Sequence, residues 1–141
     1  MNDQHGNPLE PHSASEAIFA AEVVTELNAE RARAGLPPLA TDADGTRAGK
    51  AHAEDMGDRT FFAHLSPEGW GPDERLSLTG ATGPFRLVGE NIARGQTTAR
   101  GVVDAWMASP PHRANVLGQF THVGVGVQLR DGMYCAVFLA R

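Results

Sequence analysis

The chain holds one cysteine, Cys135, among its 141 residues. A single thiol excludes an intramolecular disulfide and a zinc site built on cysteines. Cys135 lies in an apolar, strand-like pattern, which predicts a buried structural thiol. Long hydrophobic runs are also missing. Nothing approaches the roughly eighteen consecutive apolar residues of a membrane-spanning helix. No basic stripe appears, which removes nucleic acid and anionic membrane surfaces from the expected partners. Lysine is nearly absent, Lys50 standing alone among 12 basic residues. With plentiful Ala and Gly, that is the mark of a GC-rich coding sequence. Repeats and low-complexity segments are absent too. The opening Met1 to Gly6 has no cationic-then-apolar stretch of a signal peptide. Either the protein is cytoplasmic or its export signal precedes this chain. What remains is an ordinary globular composition, 41% hydrophobic and 21% charged with a net charge of -5. That suits one domain around one core.

Residues 1–15 are polar and carry Gly6, Pro8 and Pro11. They are expected to form a tail or linker, with a single domain over 16–141. Ala17, Ala20, Val24 and Leu27 fall at helical spacing, which predicts a helix from Ile18 to Ala34. Glu22, Glu26 and Glu30 form its outer stripe, expected to be solvated. Asn28 and Arg31 lie beside the apolar seam and need partners if they point inward. Gly35 to Leu39 stops the helix. A second helix is expected from Ala43 to Asp58, with Thr41 or Asp42 as N-cap, although Gly45 and Gly49 weaken it. Its His52 and Asp55 stand three apart and invite a metal reading. The preferred reading is a buried His bonded to a backbone carbonyl. Phe61 to Gly71 reads as loop, Pro72 to Leu78 as a short helix and Thr79 to Pro84 as a break. Leu87 to Ala93 reads as strand and Thr97 to Ala108 as helix, with one more turn from His112 to Leu117. Val123 to Leu129 alternates apolar and small residues. Asp131-Gly132 signals a turn, and Met133 to Ala140 completes a hairpin. Gly124 and Gly126 would let a helix or loop approach the sheet closely.

Three segments carry the chemistry: Phe61-Phe62-Ala63-His64-Leu65-Ser66-Pro67, Gly89-Glu90-Asn91-Ile92-Ala93 and Trp106 to Asn115. In this order they resemble the CAP superfamily (cysteine-rich secretory proteins, antigen 5 and pathogenesis-related proteins), in particular its short bacterial branch. The resemblance agrees with the element order in implying an α/β fold. The expected form is a three-layer α/β/α sandwich with a small antiparallel sheet flanked by helices.

The resemblance also implies a cavity where two His and two Glu can hold a divalent cation, often zinc. The matching residues are His64, Glu90 and His112. Ser109 stands where the eukaryotic forms have their second Glu, three residues after a Trp. The cleft is thus expected to contain His64, Glu90, Ser109 and His112. Arg75, Asn91, Arg113 and Asn115 are expected as its scaffold, with Arg75 pairing a carboxylate. His64, Glu90 and His112 would suffice for an open zinc site with water in the fourth position, or for a polar pocket without an ion. Ser109, His112 and Glu90 also suggest a hydrolytic triad, but no nucleophile elbow surrounds Ser109.

The favoured expectation is an extracytoplasmic ligand-binding or interaction module rather than an enzyme. It would be monomeric and secreted, periplasmic or at the cell surface. Its partner would be a small molecule, peptide or cell-wall component. A metal-dependent hydrolase acting on peptide or cell wall, and a purely structural secreted module, are the alternatives.

Overall fold

Helix α2 (Ala43–Arg59) lies backbone to backbone on strand β3 (His122–Gln128). A Cβ at Gly124 would stand 2.0 Å from the Gly45 carbonyl carbon, and one at Gly126 would stand 2.1 Å from Lys50 N. Only glycine admits this approach. Gly45 and Gly49 meet the sheet from the helix side. Their intrinsic cost of about 1 kcal/mol each is offset by the packing they allow. Asp42 caps the helix, accepting from Gly45 N–H at 2.7 Å.

The computed structural model describes residues 13–79 and 87–141. The elements before α2 are α1 (Ser13–Arg33) and β1 (Ala40–Thr41). After it come α3 (Pro72–Leu78), β2 (Val88–Arg94), α4 (Ala99–Met107) and α5 (Pro110–Val116), then β3 and β4 (Tyr134–Ala140). The strands form one sheet in the order β1-β3-β4-β2. β2 and β3 both run antiparallel to β4, but β1 runs parallel to β3. The sheet is therefore mixed, not purely antiparallel as expected. A two-residue strand has no period to betray it. Helix α1 starts at Ser13, earlier than expected, so residues 13–15 are helix rather than tail. Residues 1–12 of that expected tail and 80–84 of the expected break lie outside the described residues.

One face of the sheet carries the larger core. Val123, Val125 and Val127 of β3 meet Val23 and Leu27 of α1 and Val102, Val103 and Trp106 of α4. Cys135 is fully buried among them, which drives its thiol pKa up to about 12 and leaves it inert. On the other face Ala53 and Met56 of α2 pack on Ile92, Tyr134 and Ala136.

Asn28 and Arg31 do point inward and find partners. The Asn28 amide exchanges two bonds with the Leu39 backbone, at 2.8 and 3.2 Å. Arg31, only 2% exposed, donates to the carbonyls of Pro37, Val116, Gly118 and Phe120. Burial lowers its pKa. The acidic stripe of α1 is not merely solvated. Arg100 of α4 reaches Glu26 and Glu30, each at 2.6 Å.

Candidate functional site

β2 is an edge strand, and alternation sends its neighbouring residues to opposite faces. Glu90 turns towards α2 and α3, whereas Asn91 turns towards α5. The site forms where the two faces meet around this edge.

Glu90 is its centre. Its side chain is 4% exposed, so its charge needs close partners. Arg75, in the last turn of α3, donates to Glu90 Oε2 at 2.6 Å. The same guanidinium donates to the carbonyls of His64 (3.0 Å) and Trp70 (2.9 Å). One side chain thus satisfies the carboxylate and fixes the loop between α2 and α3. The expected pairing of Arg75 with a carboxylate is present. His64 Nδ1 lies 3.0 Å from Glu90 Oε1 while the rest of its ring faces solvent, the side chain being 52% exposed. The hydrogen bond with Glu90 raises the His64 pKa above its ordinary value, against a smaller opposing effect of burial.

Behind the carboxylate stands His52 of α2, fully buried, with Nε2 3.8 Å from Glu90 Oε1. That nitrogen bonds the Ala63 carbonyl at 2.8 Å, as the preferred reading of His52 required. Burial lowers the His52 pKa, and the pull of Glu90 does not reverse this. Its Nδ1 is buried without a hydrogen-bond partner among the described residues. Asp55 does not join His52 in a metal pair, because Arg59 holds it at 2.7 Å through Nη2. Arg59 also reaches Glu68 at 2.8 Å, tying the loop to α2 from below.

Across the edge, Asn91 is fully buried. Its amide donates to the His112 carbonyl at 3.0 Å and its oxygen accepts from Asn115 at 2.9 Å. Asn115 donates a longer bond to the Glu90 carbonyl, 3.3 Å. Asn91 and Asn115 are therefore the clamp that holds α5 on β2. His112 has a lowered pKa, first from burial and then from the charge of nearby His64.

Ser109 occupies the N-cap position of α5 but makes no side-chain capping bond. Arg113 lines a groove with Met107, Pro110 and Leu117. Nor is the triad of Ser109, His112 and Glu90 assembled, since Glu90 gives its oxygens to His64 and Arg75.

Glu90 itself is poorly placed to be a zinc ligand. Both Glu90 oxygens are engaged, and a cation there would sit beside the buried Arg75 guanidinium. Among the described residues no three His, Cys, Asp or Glu side chains stand so as to hold an ion.

The site loop exposes three large apolar side chains beside His64. Phe62 is 47%, Leu65 58% and Trp70 45% exposed. Sequence reasoning missed both this rim and the place of His52 against Glu90. The apolar letters were visible; their shared exposure depends on how Arg75 and Arg59 hold the loop, which no local pattern encodes.

Comparison with known proteins gives this arrangement its class. Residues 24–138 match the family model for CAP, the cysteine-rich secretory protein family, and the chain belongs to that family. The Bacillus subtilis (strain 168) protein YkwD is 36% identical over 129 residues, which is 91% of this chain and 49% of YkwD. The chain thus spans about half the length of that relative. A Bacillus anthracis extracellular protein containing an SCP domain superposes with a TM-score of 0.84 at 33% identity, covering 96% of this chain and 45% of that one. An outer surface protein of Borrelia burgdorferi shares the fold with a TM-score of 0.76 at 21% identity, covering 84% of this chain and 89% of that one.

Proposed function

We propose that this chain is an extracytoplasmic ligand-binding module whose contact point is the His64–Glu90 cleft. One observation carries the reading. A buried Arg75–Glu90 pair holds a half-exposed imidazole in a fixed place, beside the exposed side chains of Phe62, Leu65 and Trp70. A few oriented polar groups beside apolar surface are the make-up of a small-ligand or peptide site. The extracytoplasmic part is supported by the descriptions of relatives as extracellular or outer surface proteins. Zinc chemistry and a hydrolytic role are not part of this reading, because Glu90 is neutralised by Arg75 rather than free to serve as ligand or base.

The test is an NMR titration with a soluble monomeric muropeptide, a cell-wall fragment offering both sugar and peptide. We expect shifts in the His64 ring and the Trp70 indole, and at least a tenfold weaker affinity in His64→Ala. No shift at millimolar muropeptide would remove cell-wall fragments as the ligand class. Hydrolysis of the muropeptide during the titration would replace a binding module with an enzyme.

A further inference from the structure

β1 covers only the start of β3. It pairs with His122 and Val123 and ends at Thr41. The N–H of Asp42 then donates to the Val123 carbonyl at 2.9 Å. Backbone groups alternate sides along an extended strand. The N–H and C=O of Val125 and Val127 therefore face the same way as that carbonyl, away from β4. Leu129 is next in the series, and its N–H goes to Glu16 Oε2 at 2.8 Å. Between these two closures, among the described residues, no strand lies beside β3. A groove of about 470 Å³ takes its place. Ala17, Ala20 and Val24 of α1 form one wall, Lys50 of α2 stands on the other, and Val125 and Val127 lie between.

Unpaired main-chain groups along an edge are a template for an added strand. Here the edge is sunk: Val125 is 4% exposed and Val127 2%. The broad sheet edge of a second copy is kept off by α1 and α2, whereas a single extended chain fits between them. An added strand would alternate its side chains. One row would meet the small aliphatic wall of α1. The other would pass Lys50, whose ion partner is Glu54 at a loose 3.6 Å. An acidic side chain there complements it better. We infer that this groove docks an extended segment of a partner protein. The segment joins β3 at Val125 and Val127, turns aliphatic side chains to α1 and offers an acidic one to Lys50. This inference does not rest on the His64–Glu90 cleft.

Amide hydrogen exchange on the full chain is the first measurement. Val125 and Val127 should exchange at least about tenfold faster than Gly124 and Gly126, whose amides face β4. Equal protection in the free protein would mean the edge is already closed and would overturn the inference. The second measurement uses a fluorescein-labelled pentapeptide alternating valine and aspartate. It should bind and slow exchange at Val125 and Val127. N-methylation of its central amide should weaken binding at least tenfold, because the lost donor belongs to the added strand. Ala20→Trp should block the groove, and Lys50→Glu should weaken binding several-fold; neither residue touches the cleft. Equal affinity of the methylated peptide, or binding without protection of the two amides, would refute strand addition. Dodecanoate entering the groove where the peptide does not would make it an alkyl-chain site instead.

Discussion

Across one face of the sheet, α2 rests directly on Gly124 and Gly126, with no side chain between. Across the other, Val23 and Leu27 hold α1 off the valines of β3, and Arg31 ties its end to four carbonyls. The first contact is set by what is missing, the second by what is added. A close contact without side chains has no rotamers with which to adjust. A contact through long side chains spreads its load over several bonds. The two faces should therefore fail differently when altered.

The largest effect is expected at the glycine face. In Gly126→Ala the new Cβ meets the Lys50 backbone, which cannot swing aside, so α2 must move as a body. A loss of about 3 kcal/mol is expected, seen as a melting temperature roughly 10 °C lower. A variant as stable as the parent would show that α2 slides freely and would erase the contrast between the faces. On the α1 face, Arg31→Met keeps much of the apolar stem and strands the carbonyls of Pro37, Val116, Gly118 and Phe120. About 2 kcal/mol should be lost in urea unfolding, since buried acceptors without donors are costly. Arg31→Lys should recover less than half, because one ammonium cannot reproduce the planar fork.

The cleft sits where the faces meet, and it mixes both modes. Glu90→Gln preserves shape but removes the charge that Arg75, 7% exposed, is paired with. We expect roughly 1–2 kcal/mol of destabilisation, less than at either face, because the amide oxygen still accepts a bond from Arg75. Chemical denaturation of the variant beside Arg31→Met decides the order.

How much of this was readable beforehand follows the range of the interactions. Pro72 to Leu78 was legible as a helix because its proline start is local. The hairpin about Asp131-Gly132 was legible because alternation and turn chemistry agree. Gly124 and Gly126 announced a close approach, though not that α2 would make it. β1 was invisible, since Ala40 and Thr41 become a strand only by pairing with residues far along the chain. In the cleft, His64, Glu90 and Arg75 were legible through their motifs. Arg113 also lines a separate groove beside α5, which its motif did not announce. The expectation of Glu90 as a zinc ligand counted residue types, whereas Arg75 taking one Glu90 oxygen and His64 the other is a matter of tertiary geometry.

The smallest effect concerns protons, and it separates three of the six histidines. His64 is held above the ordinary value of about 6.5 by its bond with Glu90, whereas His52 and His112 are held below it by burial. The signs for stability are opposite. The His64–Glu90 bond contributes fully below about pH 6.5 and is lost as pH rises through the raised His64 value. Neutral His52 contributes above about pH 6.5, and its contribution is lost as pH falls through its lowered value. Ring-proton NMR against pH reads each site directly. His64 should titrate last as pH rises, and in Glu90→Gln it should fall back towards the ordinary value while His112 barely moves. If His64 titrates below His112 in the parent protein, the imidazole is not bonded to Glu90 in solution. The contact point proposed for the cleft would then lose its anchor, although the two faces of the sheet would stand unchanged.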